Sequence, residues 1–188
     1  MHGTEPPSEW VKRWSHLVRP LGHVLDVACG YGRHAYYFHH TNRPVIVVDR
    51  AQEAIESIAI PSRICEKVVA DIENGPWPFT GRQFDAVVVT NYLWRPLMST
   101  LLASLEPGGV LIYETFAEGN ETVGKPSRPD FLLRPGELLE TCKNLRIVAF
   151  EDGFMAGEGG QAPRFVQRIA AVREAGINRL PPRYQMPQ

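Results

Sequence analysis

Cysteine is scarce in this chain: three in 188 residues, Cys29, Cys65 and Cys142, scattered without metal-ligand spacing and odd in number. That excludes a small secreted scaffold held by cross-links and fits a reducing compartment, so the expected location is cytoplasmic. No apolar run reaches the ~20 residues of a bilayer-spanning helix. The start Met1-His2-Gly3-Thr4-Glu5-Pro6-Pro7 also lacks the apolar core of a signal peptide, so no membrane partner is expected. An excess of one charge is missing too. Lys plus Arg total 20 against 21 Asp plus Glu, a formal net charge of -1 that argues against a nucleic-acid face, a local basic patch aside. His39-His40 have no carboxylate or cysteine at ligand spacing, so no metal is expected. There is no internal repeat. The length suits one domain over residues 1–188: an N-terminal helix within 1–20, a core over 21–175, and a proline-rich tail over 176–188 that is poorly ordered or strapped across the surface.

What is present centres on Val24-Leu25-Asp26-Val27-Ala28-Cys29-Gly30-Tyr31-Gly32-Arg33-His34-Ala35. Branched aliphatics suit a buried strand, the glycines break it, and a segment of helical character follows. Gly30 and Gly32 free the main chain for close approach of a ligand, and the helix start beyond them presents unpaired N–H groups. The spacing Gly30-x-Gly32-x-x-Ala35 also fits the dinucleotide fingerprint. Asp26 argues for a different ligand, because a carboxylate just before the turn meets a cationic group better than a pyrophosphate.

The rest of the chain alternates strand and helix patterns. Ser8 is a candidate N-cap for a helix carrying Trp10, Val11, Trp14, Leu17 and Val18 at helical spacing; the two tryptophans either pack that helix down or line a ligand mouth. Strands are predicted at 45–49, 67–70, 84–89 and 110–114, with helices from Ala51 to Ile58, from Pro96 to Leu105 and from Pro135 to Asn144. Asp49, ending the second strand, suits the ribose hydroxyls of a nucleoside or a cap for the helix after it. Thr90-Asn91-Tyr92-Leu93-Trp94 leaves the fourth strand at the carboxyl edge, where open parallel sheets bind ligands. Residues 115–133 read as a long loop, lid-like or substrate-binding, in which Phe116, Glu118, Asn120, Glu121, Lys125, Arg128 and Phe131 are candidate contacts. Strands at 145–152 and 164–172 enclose a connection from Gly153 to Pro163, with Asp152, Gly157, Gly159 and Gly160 giving it freedom to reach toward a pocket.

The run Asp26-Val27-Ala28-Cys29-Gly30-Tyr31-Gly32 resembles the first motif of class I S-adenosylmethionine-dependent methyltransferases, acid-x-Gly-x-Gly-x-Gly, with Ala28 in the first glycine's place. Glu106-Pro107-Gly108-Gly109 before the fifth strand resembles the same family, which includes a tellurite-resistance-type and thiol-methylating group. The resemblance covers roughly residues 21–172. It implies an α/β fold: a three-layer, Rossmann-like arrangement with a mostly parallel seven-stranded sheet and a C-terminal antiparallel hairpin. It implies S-adenosyl-L-methionine as cofactor and S-adenosyl-L-homocysteine as product, held by Asp26, Ala28, Cys29, Gly30, Gly32, Asp49, Arg50, Asp71, Ile72 and Asn91. Asp49 would take the ribose, Asp71 the adenine amino group, and Ile72 the ring. The segment at Asn91 lacks the Asn-Pro-Pro-Tyr pattern of base and glutamine amino-group methylation.

The function expected from this is methyl transfer to a small-molecule acceptor by in-line displacement. A sulfonium is already electrophilic, so alignment suffices, and a base is needed only where the acceptor must lose a proton. Candidates near the mouth are Asn91 and Tyr92 for orienting substrate and His34, Tyr92, Tyr113 or Glu114 for proton removal. Each has an ordinary alternative as a packed or loop-pinning residue. Two rival functions stay open at this level: an NAD(P)-dependent oxidoreductase, resting on the glycine spacing and Asp49, and a non-catalytic S-adenosylmethionine-binding protein. Trp94 and the first helix offer either a homodimer contact or buried packing.

Overall fold

The computed structural model describes residues 5–157, 162–176 and 183–187. Gly159, Gly160 and residues 177–182 of the tail lie outside them.

Four strands run parallel: β1 (Val24–Val27), β2 (Val45–Asp49), β3 (Cys65–Val69) and β4 (Phe84–Thr90). Continuous branched residues make β1, β2 and β4 buried on both faces, as a parallel strand between helical layers must be. β5 (Leu105–Phe116) joins β4 in parallel, and β7 (Arg164–Val172) then pairs antiparallel with both β5 and β6 (Arg146–Met155). The order across the sheet is β3-β2-β1-β4-β5-β7-β6.

Alternation along these strands sorts the core into two faces. Val24, Val45, Val47, Val88 and Ile112 point to one face, covered by α1 (Glu9–Trp14), α2 (Arg33–His40) and α3 (Gln52–Ser57). Leu25, Val27, Val48, Val89 and Leu111 point to the other, under α4 (Met98–Ala103) and α5 (Glu137–Thr141). This is the three-layer α/β arrangement and terminal hairpin that the sequence predicts.

Ser8 caps α1 as expected, its Oγ accepting from the Trp10 and Val11 amides. Trp10 and Trp14 are each 1% exposed, so they pack the helix down and line no mouth. The Trp10 indole donates to the Ile169 carbonyl (3.1 Å), and the Arg168 guanidinium lies 4.8 Å over its ring. Trp94 is half-buried against the core.

Three expectations change. β5 begins at Leu105 because Glu106-Pro107-Gly108-Gly109 forms a bulge within the strand: Leu105 pairs with Phe84, and pairing resumes at Val110 with Ala86. Gly108 sits at φ 89, and a Cβ on Gly109 would lie 2.7 Å from the Phe84 carbonyl oxygen. The segment read as a structureless loop holds 3₁₀ turns at Asn120–Thr122 and Pro129–Phe131 and an Ala117–Leu133 bridge. Arg95 ties it down by donating to the Asp130 (2.9 Å) and Leu132 (2.7 Å) carbonyls and to both carboxylate oxygens of Glu137. Asp152, finally, belongs to β6 and is pinned by the Gly136 amide (3.1 Å) and Gln167 (3.0 Å), so it gives the connection no freedom, although Ala162 and Pro163 of that connection do line a cavity.

Candidate active site at the carboxyl edge of the sheet

The strand order reverses between β1 and β4, and the chain leaving each strand there parts to open a crevice. The turn after β1 forms one wall. Ala28 takes φ 51 and Gly30 φ 54, both in the left-handed region, which places the Cys29-Gly30 main chain at the crevice floor. Asp49 at the end of β2 holds that turn: one carboxylate oxygen accepts from the Gly30 amide (2.9 Å) and the other from the Ala51 amide (2.9 Å). Each oxygen keeps a lone pair for a ligand hydroxyl. The bond to Ala51 steadies the entry to α3, whose N-terminus receives no side-chain cap hydrogen bond.

Three hollows meet here. The first, about 480 Å³, is lined by Ala28, Asp49, Arg50, Asp71, Ile72, Asn91 and Tyr92, with Phe116 and Phe131 opposite. The second, about 250 Å³, is lined by Ala28, Cys29, Gly30, Tyr31, Arg33, Thr90 and Asn91, with Glu5 at its rim. The third, about 510 Å³, adds residues of the segment after β5 and the start of β7. Asn91 borders all three. It holds φ 55, and its amide donates to the Glu114 carbonyl (2.9 Å). Nothing lies within 4 Å of where a Cβ on Gly30 would be, so a side chain there would enter the second hollow. Asp71 lies at the mouth of the first, its carboxylate accepting from the Glu73 amide (3.0 Å) and from the amide and side chain of Asn74. These bonds, the Asn74 side chain foremost, keep its carboxyl below the usual range.

The structure thus brings Ala28, Cys29, Gly30, Asp49, Arg50, Asp71, Ile72 and Asn91 to one crevice. Two residues of the same set stand behind it. A Cβ on Gly32 (φ 79) would meet the Ile58 side chain at 2.8 Å, so that glycine serves helix packing against α3's end, not ligand approach. Asp26 is 1% exposed and lines none of the three hollows. Burial pushes its carboxyl up to about 7; the Arg33 charge opposes the rise, the Asp49 carboxylate adds to it, and the Ala35 amide opposes it. One of its oxygens has no hydrogen-bond partner.

Of the candidates for proton removal, Tyr92 alone lines a hollow. Burial raises its phenol, the nearby Glu73 carboxylate raises it further, and its hydroxyl is buried outside hydrogen-bonding geometry, so it stays protonated at neutral pH. His34 is buried under the turn: Nε2 accepts from the Ser8 amide (3.1 Å), which leaves the proton on Nδ1, 3.9 Å from Asp26. Burial, with the Arg33 charge, holds it down at about 3. Glu114 is 4% exposed and engaged by the Ser8 hydroxyl (2.9 Å) and Arg168 (3.1 Å). The Tyr113 hydroxyl donates to the Tyr92 carbonyl (2.7 Å). Cys29 is a thiol, its ionisation suppressed by burial and then by the Asp26 and Asp49 charges.

Of the loop candidates, Phe116 and Phe131 reach the first hollow and Phe116, Asn120 and Lys125 the third; Glu118, Glu121 and Arg128 line none. Glu5, Arg33 and Arg164 escaped the sequence reading as site residues. Arg33, directly after the glycine turn, carried a readable signal; Glu5 and Arg164 arrive from the two ends of the chain and carried none. All three cysteines are free and buried. No helix among the described residues is long and apolar enough to cross a membrane.

Residues 24–109 match the family model described as a methyltransferase domain. Comparison with curated proteins finds no match. Among solved structures, TehB from Haemophilus influenzae superposes over 92% of this chain with a TM-score of 0.75 and 18% identity, this chain spanning 64% of its length. A SAM-dependent methyltransferase from Methanosarcina mazei gives a TM-score of 0.67 at 14% identity, covering 90% of this chain and 99% of that one. The glycopeptide N-methyltransferase MtfA, in complex with S-adenosyl-L-homocysteine, gives 0.63 at 16% identity, covering 90% of each chain. The domain match runs from β1 to the start of β5, and the likeness to these solved structures extends along about nine-tenths of this chain, so the chain shares the fold of the S-adenosylmethionine-dependent methyltransferases.

Proposed function

We propose that the protein methylates a small-molecule acceptor, with the cofactor across the first two hollows and the acceptor in the third. The observation that carries this reading is the position of Asn91, which alone among the described residues borders all three cavities. In it, Asp49 accepts from the ribose hydroxyls, Asp71 and Ile72 hold the adenine beside Arg50, and Phe131 and Phe116 close over the nucleoside. The Cys29-Gly30 main chain and Arg33 receive the amino-acid end. The MtfA complex with S-adenosyl-L-homocysteine supports that occupant.

S-adenosylmethionine, when bound, supplies a methyl group on a sulfonium, an electrophile that needs no further activation. The chain's own contribution is alignment: Asn91 and the ordered segment after β5 fix the acceptor's approach and exclude water, an effect worth about 7–11 kcal/mol where geometry is good. None of the side chains considered for proton removal is free to take a proton in the crevice at neutral pH. Tyr92 stays a phenol, His34 is engaged under the turn, and Glu114 is held by Arg168. Asp26 acts from behind, supporting the turn and contributing field.

The test is a methyl-transfer screen against thiols, oxyanions, carboxylates and amines, reading S-adenosyl-L-homocysteine release. Turnover is expected with acceptors whose attacking atom is unprotonated near neutral pH. Turnover confined to macromolecular acceptors would overturn the small-molecule reading.

A further inference from the structure

We infer that the third hollow takes an organic anion, an apolar body carrying a carboxylate or similar group, and that Lys125 and Arg164 hold that group. This rests on the proposed function and names the acceptor class for the same site. The lining carries three cationic side chains, Arg33, Lys125 and Arg164, against one carboxylate, Glu5. Arg33 is already committed: its guanidinium donates to Glu5 (3.4 Å) and to the Thr90 hydroxyl (3.2 Å). The Lys125 and Arg164 side chains have no hydrogen-bond or ion-pair partner among the described residues, which leave their positive charge in the cavity uncompensated. In a cleft with low-dielectric walls such charge attracts and orients anions.

The two cations are brought together by a built feature. The Asn120 side chain is 1% exposed; its amide nitrogen donates to the Pro126 carbonyl (2.9 Å) and its oxygen accepts from the Phe165 amide (3.1 Å). Those are the chain neighbours of Lys125 and Arg164. One buried amide therefore fixes both at one rim, although they come from different segments. The remaining wall is apolar, with Pro6, Phe116, Val123 and Pro163, and the volume of about 510 Å³ is that of a site for an organic molecule, far larger than a bare inorganic oxyanion needs.

An anionic acceptor also needs no base. The acceptor's lone pair forms the bond to the methyl carbon as the carbon–sulfur electron pair returns to sulfur, giving a neutral thioether and a methylated product with no proton to place. Charge balances as anion and sulfonium neutralise each other.

The experiment is titration calorimetry on the full-length protein, free and saturated with S-adenosyl-L-homocysteine. The probes are benzoate, phenylacetate and 3-phenylpropanoate, their primary amides, and tellurite and phosphate. The carboxylates are expected to bind at least tenfold more tightly than the amides. The variant K125E/R164E is expected to lose that preference while keeping wild-type S-adenosyl-L-homocysteine affinity and an unchanged circular-dichroism melt. Equal binding of acids and amides, no binding of any carboxylate, binding of inorganic oxyanions alone, or a preference surviving in K125E/R164E would overturn the inference. Failure of S-adenosyl-L-homocysteine to bind the wild type would instead remove the proposed cofactor site, and the titrations of the free protein would still decide on the anion.

Discussion

Ala28 and Gly32 have opposite local stories although they flank the same turn. Ala28 holds φ 51 with a Cβ, a left-handed conformation costing a non-glycine residue roughly 1–2 kcal/mol. Ala28→Gly should therefore stabilise the chain by about 1 kcal/mol in denaturant unfolding, the relief of strain exceeding the extra freedom of the unfolded glycine. Gly32→Ala should destabilise it by roughly 1–3 kcal/mol, because its Cβ would collide with Ile58. A loss of stability in the first, or none in the second, would refute these local assignments. Asp26 and His34 give a pH signature. Asp26, raised by burial from 3.8 to about 7, binds a proton in the folded state that the unfolded state has released, so stability falls as pH rises through that window. His34, lowered by burial from 6.5 to about 3, is neutral when folded and charged when unfolded across that range, so its contribution makes stability rise with pH. The two slopes oppose each other between them. Asp26→Asn should unmask the rise, steepening the gain in unfolding free energy from pH 4 to pH 6; an identical profile for wild type and variant would contradict the pairing of these shifts.

The elements whose order comes from local pattern were legible in the sequence; those ordered by distant partners were not. The branched runs of β1, β2 and β4 and the glycine turn after β1 announce themselves because period and punctuation agree. The early start of β5 was hidden because Pro107-Gly108-Gly109 reads as a breaker, whereas pairing with Phe84 carries the strand across it as a bulge. The segment after β5 has little periodicity, and its order comes from Arg95 on one side and Asn120 on the other. Site residues follow the same division. Asp49 and Asp71 were readable from their places at strand ends, whereas Gly32 was misread as a ligand-facing glycine because its partner Ile58 sits beyond α3. Arg95 makes the point testable. Burial pushes the Glu137 carboxyl up, and the hydrogen bonds from Arg95 and from the Arg134 amide outweigh it, leaving the group ionised. Arg95→Met should cost about 1–3 kcal/mol and accelerate amide hydrogen exchange at Phe131 and Leu132, with little change in β1 and β4. Uniform protection across all of them would show that the segment is held by other contacts.

For the molecule as a whole, function follows from where the strand order reverses. β1 and β4 are neighbours whose connections depart in opposite directions, so the glycine turn, the ends of β2 and β3, and Asn91 surround one opening. Helical layers on both faces bury the strands and leave that carboxyl edge as the place where main chain and carboxylates meet a ligand. The same edge in a dinucleotide enzyme would bind NAD, and the glycine spacing alone does not separate the two. Titration calorimetry with S-adenosyl-L-homocysteine and NAD on the wild type and Asp49→Ala does. The account predicts that S-adenosyl-L-homocysteine binds the wild type at one site, that Asp49→Ala weakens it by at least ~1.5 kcal/mol through lost charge-assisted hydrogen bonds, and that NAD gives no specific heat. Binding of NAD without S-adenosyl-L-homocysteine, or equal affinity in wild type and Asp49→Ala, would contradict it.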